Sequence, residues 1–379
     1  QAAPVSSMAS LRLKKRASLA PLWPVLQEVY QRLTATTDHM YDLLGTTETP
    51  LALRWLLLEE GNLLQALNYL CEEGSTSSAE CAGTITICLA KGFEFAGRAK
   101  TGLQKLSPTL VAFEKFWPQQ QAAALANRAM GNLSLRENDL TGARQHYNHA
   151  LAIFTAIDGK LGQANTLRAL GDLKMRNADL QGARNDYDSA LAIFSDIDEK
   201  LGQANTRKAL GDLKMRNADL QGARNDYDSA LAIFSDIDEK LGQANTLQML
   251  GLCHLTEGNW QQAFKQLLSA LRLHESIENQ LGCAACYGYL VRITMQAGQT
   301  EQALAFSSKA LNILRGIGDR FGQKIAYTDL AECLLPLAMH LGLAAYYLAW
   351  QIAQDIHDPA ATRLGAIFTD HLKPHLPET

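Results

Sequence analysis

Residues 161–200 read LGQANTLRALGDLKMRNADLQGARNDYDSALAIFSDIDEK, and residues 201–240 spell the same forty letters with two changes, Leu167 to Arg207 and Arg168 to Lys208. A forty-residue period also holds where identity fades. LGQANTLRALGDL (161–173) returns as LGQANTLQMLGLC (241–253), LGCAACYGYLVRI (281–293) and FGQKIAYTDLAEC (321–333). ADLQGARNDYDSALAIFSDID (178–198) is answered by NDLTGARQHYNHALAIFTAID (138–158), GNWQQAFKQLLSALRLHESIE (258–278) and GQTEQALAFSSKALNILRGIG (298–318). Six copies therefore run over 121–160, 161–200, 201–240, 241–280, 281–320 and 321–358, the last read as shortened.

Within a copy, Ala183, Tyr187, Ala190, Phe194 and Ile197 step by four, three, four and three, which aligns them on one stripe of a helix. Leu161, Ala164, Leu167, Leu170 and Leu173 give the same expectation for the first half. Each copy is thus two amphipathic helices. Asp179 is placed to cap the second helix, and Asp198 the first helix of the next copy. Connections that short force neighbouring helices antiparallel. One such pair buries too little apolar surface to offset the entropy of ordering forty residues, so the pairs must stack on one another.

Composition agrees. Aromatic residues are 7% of the 379, and the net charge of −4 supplies no basic field for nucleic acid or an anionic membrane. The seven cysteines, an odd number, lie on apolar helical faces, which predicts a reduced, cytoplasmic compartment. No run of eighteen apolar residues predicts a membrane span. LRLKKRASLAPLWPVL imitates a secretory signal, but Pro21 and Pro24 interrupt it and no small-residue cleavage site follows cleanly. The start at Gln1 suggests a portion of a longer protein.

Chemistry-bearing motifs are scarce. No G-x-x-x-x-G-K-[ST] occurs, so nucleotide hydrolysis is not expected. Cys283 and Cys286 form a lone C-x-x-C without a second pair or a histidine cluster, and are read as core cysteines. His146 and His149 share a helix face at i, i+3, but Asp186 and Ser189 replace them in the next copy, so they are read as a solvated face. The chain is expected to be no enzyme, with no cofactor and no metal.

The unit resembles the tetratricopeptide repeat. That pattern places a large residue, an apolar one, a small one, then small, aromatic and small at fixed offsets, matched here by Leu167, Leu170, Gly171, Ala183, Tyr187 and Ala190. The match returns as Met130, Gly131, Ala143, Tyr147 and Ala150, and as Leu210, Gly211, Ala223, Tyr227 and Ala230. Gly251, Ala263 and Ala270 keep part of it, and Val291 and Ala331 later replace the glycine. The forty-residue period and the missing terminal proline resemble the longer-helix variant of cell-polarity scaffolds and kinesin light chains. The resemblance implies an all-α, right-handed superhelical solenoid of antiparallel helix pairs. It divides the chain into a linker (1–20), a helical N-terminal region with degenerate repeats or linker helices (21–120), the six repeats (121–358), and a capping helix and tail (359–379).

The resemblance also implies that first helices line a concave groove which binds a protein or peptide segment. Carried over residue by residue, that face holds Asn165, Asn205 and Asn245 in one column and Arg128, Arg168 and Lys208 in a second. Asn132, Asp172 and Asp212 form a third, and Arg136, Arg176 and Arg216 a fourth. Asparagine amides can hold an extended main chain, and the cations can select carboxylates, which predicts an extended, partly acidic partner. The i, i+4 spacing of Arg168, Asp172 and Arg176 also fits helix-stabilising surface pairs. Arg207 either snorkels over the repeat interface or joins the basic column.

Upstream, PLALRWLLLEEGNLLQALNYLCEEG (50–74) predicts a helix or helix pair, and AECAGTITICLAKGFEFAGRAKTGLQKL (79–106) a second helical stretch. Glu59, Asn62, Leu63, Ala66 and Leu67 spell E-x-x-NL-x-x-AL, similar to the helical linker before the repeat sensors of bacterial STAND-type signalling ATPases. The leading functional expectation is a non-catalytic interaction scaffold. The ligand-sensing end of a larger signalling or defence NTPase is the alternative, and a regulator closing around a short signalling peptide is a third.

Overall fold

A computed structural model describes residues 35–40, 49–73, 76–335 and 337–372. Every regular element among them is a helix: α1 (Thr49–Glu73), α2 (Thr76–Phe95), α3 (Ala99–Phe116), α4 (Gln121–Arg136), α5 (Leu140–Ala156), α6 (Lys160–Arg176) and α7 (Leu180–Asp196) belong to one compact unit, Gln1–Ile197. The second unit, Asp198–Thr379, holds α8 (Lys200–Arg216), α9 (Leu220–Asp236), α10 (Lys240–Thr256), α11 (Trp260–Ser276), α12 (Gln280–Gln296), α13 (Thr300–Gly316), α14 (Arg320–Leu334), α15 (Met339–Asp355) and α16 (Ala360–Leu372).

In each unit antiparallel helices pack in series, and alternate first helices also touch, as α4 does α6 and α12 does α14. The fold is an all-α solenoid of helix pairs. Its joints are regular because each turn is closed by backbone bonds. After α6, the Asp179 N–H donates to Lys174 O at 2.9 Å and Ala178 N–H to Met175 O at 3.2 Å, with Ala178 left-handed at φ 59°. This arrangement satisfies carbonyls that the ending helix leaves open. Asp179 then accepts from Gly182 N–H at 2.9 Å, the expected cap of α7.

Asp198 does not cap α8. It occupies the left-handed turn at φ 51°, and the cap is Glu199, whose carboxylate accepts from Gly202 N–H. The turn needs one residue at positive φ before the cap, so the acid nearest the helix is displaced by one. The first-helix stripe is also narrower than expected: Ala164, Leu170 and Leu173 are buried and Leu167 half-buried, but Leu161 is 52% exposed. In the second half, Ala183, Tyr187, Ala190 and Phe194 are core, with Ile197 packed beside them.

A size exchange governs the contact inside each pair. Gly131, Gly171 and Gly211 lie under the rings of Tyr147, Tyr187 and Tyr227, where a Cβ would come within 2.5 Å of each ring. The fourth repeat keeps Gly251 under Leu267. The fifth inverts the sizes, with buried Val291 on the first helix and buried Ser307 at the tyrosine's place.

The described part of 50–74 belongs to the single helix α1, Thr49–Glu73, whereas 79–106 spans two helices because the chain turns at Gly97, φ 66°. At the other end, Lys324, only 8% exposed, bonds Asp358 at 2.7 Å, and Asp358 also accepts from Ala360 N–H at 2.7 Å. This largely shielded pair ties the start of α16 to α14. Pro374 and Pro377, read as ending that helix, lie outside the described residues.

Candidate functional site

The residues expected to line the groove lie on the first helices, and in the two copied repeats the second and third columns are tied to one another and to a tyrosine of their own repeat. The Tyr187 hydroxyl donates to Asp172 Oδ1 at 2.7 Å, and Arg168 Nη1 reaches Asp172 Oδ2 at 3.5 Å. In the second unit, Tyr227 donates to Asp212 Oδ1 at 2.7 Å and Lys208 Nζ to Asp212 Oδ2 at 2.8 Å. Tyr147 and Asn132 make the neutral version of this bond at 2.8 Å. Burial and the charge of Asp212 both push the Tyr227 hydroxyl upward in pKa, so it stays a donor.

The fourth column also turns inward. Arg176 does not extend the Arg168–Asp172 pair; it donates to Leu135 O of the preceding repeat at 3.1 Å. Arg136 places Nε and Nη2 on Glu94 Oε1 of α2 at 2.8 and 2.6 Å. Arg128 is half-buried, and its charge acts on the Tyr147 hydroxyl. Arg216 is exposed at the C-terminus of α8.

The asparagine column is the freer one. Asn165 donates to Leu161 O at 3.0 Å, a bond within its own helix. Asn205 and Asn245 are half-exposed, and their amides bond no side chain or backbone group among the described residues. Arg207 is half-buried with no ion pair to a described residue.

Other titratable groups are structural. His146 is half-buried rather than solvated, with Nδ1 3.4 Å from Asn127 Oδ1, and burial lowers its pKa. His149 turns the other way, its Nδ1 3.7 Å from Glu114 Oε1, so the two rings do not converge. Cys283 and Cys286 are buried free thiols, and desolvation pushes Cys286 up to about 12. Thiols held protonated are poor ligands and nucleophiles. Among the described residues no group of three His, Cys, Asp or Glu side chains could hold a metal ion. Leu63, Ala66 and Leu67 of E-x-x-NL-x-x-AL are core residues of α1, and Asn62 donates to Glu59 Oε2 at 2.8 Å on its surface.

One feature escaped sequence reasoning. In repeat five, Gly288, Arg292 and Ser307 occupy the places of Arg168, Asp172 and Tyr187, so the network that closes this face is missing there. The signal was present as three simultaneous substitutions in one copy.

Comparison with known proteins follows this geometry. A tetratricopeptide-repeat family model matches residues 202–276. No curated protein matches the chain. Aspartyl phosphate phosphatase F from Bacillus subtilis superposes with a TM-score of 0.56 at 11% identity, covering 82% of this chain and 93% of that one. A Rap protein complexed with competence and sporulation factor superposes at 0.55 with 13% identity, over 92% of this chain and 97% of its own. A STAND signal transduction ATPase with a tetratricopeptide repeat sensor, from Pyrococcus horikoshii, gives 0.52 at 13% identity over 84% of this chain, which spans only 53% of that protein. Identities this low establish shared fold alone. The family model makes residues 202–276 tetratricopeptide repeats, and the helix pairs that continue beyond them with the same period and the same buried Gly–Tyr contacts give the tetratricopeptide-repeat fold to the neighbouring copies.

Proposed function

We propose that the chain is a non-catalytic scaffold that holds an extended protein or peptide segment along the face made by its first helices. The observation that carries this reading is the pair Asn205 and Asn245, half-exposed amides at one place in successive repeats with no partner among the described residues. Such amides offer a donor and an acceptor to a passing main chain. The solved Rap complex supports the reading, because a protein of this fold is there complexed with a factor. A partner rather than a membrane is favoured also because no described helix is long and apolar enough to cross one. The net charge of −4 disfavours nucleic acid, and the free thiols suit the cytoplasm.

The test compares the chain with a variant carrying Asn165→Ala, Asn205→Ala, Arg168→Ala and Lys208→Ala, after circular dichroism shows equal helicity. A partner captured from the native lysate by the first and lost by the second supports the groove. Equal capture by both places binding elsewhere on the molecule.

The second reading is the sensor end of a STAND-type ATPase. The Pyrococcus horikoshii structure favours it, since a repeat sensor of this fold is there part of a larger ATPase. A phosphate-binding loop encoded upstream in the same gene supports this reading, and a start codon immediately before this sequence overturns it.

A further inference from the structure

The copied repeats and the fifth repeat treat the same face in opposite ways. In repeats two and three Arg168 and Lys208 each reach a carboxylate four residues on, Asp172 or Asp212, which also accepts from a tyrosine hydroxyl. A ligand approaching Arg168 or Lys208 must first compete with an aspartate of the same helix. In repeat four the cation, aspartate and tyrosine become Gln248, Leu252 and Leu267, and the charged network is gone.

Repeat five changes all three places at once. Arg292 stands where the aspartate was, is exposed, and makes no hydrogen bond or ion pair with a described residue. Gly288 stands one turn earlier and buried Ser307 at the tyrosine's place, so neither group that Asp172 and Asp212 meet in the copied repeats is present here. A Cβ added at Gly288 would meet nothing within 4 Å, so the backbone there is open. Helix α14 packs beside α12 and carries Ile325 at the asparagine column's place, 45% exposed. It also carries Asp329 and Glu332, which act on one another and on Arg292 only through space. The two carboxylates lie beyond ion-pair reach of the guanidinium, leaving its donor fork without an acceptor.

We propose that ligand selection in the second unit rests on α12 and α14, where Arg292 takes a ligand carboxylate and the open backbone at Gly288, with the exposed Ile325 on the helix packed beside it, seats an adjacent apolar side chain. The occupant is an extended protein segment with an acidic residue beside a Leu, Ile or Val. Repeat three, in the same unit, then contributes length and main-chain contacts, not choice. This deepens the scaffold reading and rests on it. A guanidinium with a vacant fork favours a carboxylate through paired, charge-assisted bonds, whereas one already neutralised offers a ligand little net gain.

The experiment pans a phage-displayed random dodecapeptide library against the full chain and against three variants, Arg292→Glu, Gly288→Leu, and the double change Arg168→Ala with Lys208→Ala. Equal thermal midpoints and dichroism first establish that each is folded. The expected result is an acidic–apolar consensus from the parent that the double variant retains. Arg292→Glu should lose it at least tenfold in clone binding or exchange its acid for Lys or Arg, and Gly288→Leu should lose the apolar preference. A consensus that survives Arg292→Glu but vanishes in the double variant overturns this inference while leaving the scaffold reading intact. No enrichment by any form, with a known peptide-binding domain enriched in parallel, overturns both.

Discussion

The Tyr187 hydroxyl lies 2.7 Å from Asp172 Oδ1, and the same tyrosine ring covers Gly171, the residue immediately before that aspartate. One side chain thereby sets both the spacing of the helix pair and the chemistry of its exposed face. Removing the hydroxyl by Tyr187→Phe should cost about 0.5–1.5 kcal/mol, read as a lower urea midpoint. Gly171→Val should cost more, about 1–3 kcal/mol, because the ring cannot retreat. Combining Gly171→Val with Tyr187→Ser copies the Val291 and Ser307 arrangement of repeat five, and the double variant should be less destabilised than the sum of its parts. Strict additivity would refute the size exchange.

The turns offer a stabilising change. Ala178 and Ala218 hold φ at 59°, where Gly258 and Gly298 stand in later repeats. An L side chain in that region is strained, and glycine relieves the strain at some entropic cost. Ala178→Gly and Ala218→Gly should each add roughly 0.5–1 kcal/mol, measured by urea denaturation. A drop in stability on either change would contradict the left-handed assignment.

The shifted cap can be checked by a pair of single changes. Glu199→Ala should lower stability by about 1 kcal/mol, since the Gly202 N–H loses its acceptor. Asp198→Gly, in the left-handed turn, should leave stability unchanged or raise it. Thermal melts of the two variants that come out in the reverse order would restore Asp198 as the cap.

Asp329 makes stability depend on pH. Burial first, then the charge of Glu332, raise its pKa to about 6, and Arg292 pulls the other way. The folded state therefore holds a proton that the unfolded chain, with a carboxyl near 3.8, gives up. Stability from this group is full below about pH 4 and is lost as the pH rises through about 6. Asp329→Asn should raise stability at pH 7.5 by on the order of 2 kcal/mol and change it little at pH 4. Denaturant midpoints that differ equally at both pH values would show that Asp329 does not titrate this way.

Burial of His274 works in the opposite sense. The ring stands where Phe154, Phe194 and Phe234 stand in other repeats, is fully buried, and has Nδ1 3.2 Å from Asn279 Nδ2. Desolvation lowers its pKa, so the unfolded chain takes up a proton first and stability falls as the pH drops below about 6.5. His274→Phe should flatten the acid side of the stability profile. An unchanged slope between pH 7 and 5 would exclude His274 as its source.

The sequence by itself determined the helix pair, its forty-residue period and most of its core. Those features are local: a stripe such as Ala183, Tyr187, Ala190 and Phe194 follows from helical spacing, and a repeat propagates because each copy meets the same neighbour. Gly171 under Tyr187 could be read as a pattern, though its reason, a ring where a Cβ would sit, is a contact between two helices. Periodicity could not reveal how the polar face spends its charges. Letters place Arg168, Asp172 and Arg176 on one face, but only packing sends Tyr187 to Asp172 and turns Arg176 toward Leu135 O. Likewise Leu161 belongs to the apolar stripe by spacing, yet it stands 52% exposed. Whether a side chain is engaged or available depends on what the neighbouring helix brings to it, and that is a property of the tertiary structure.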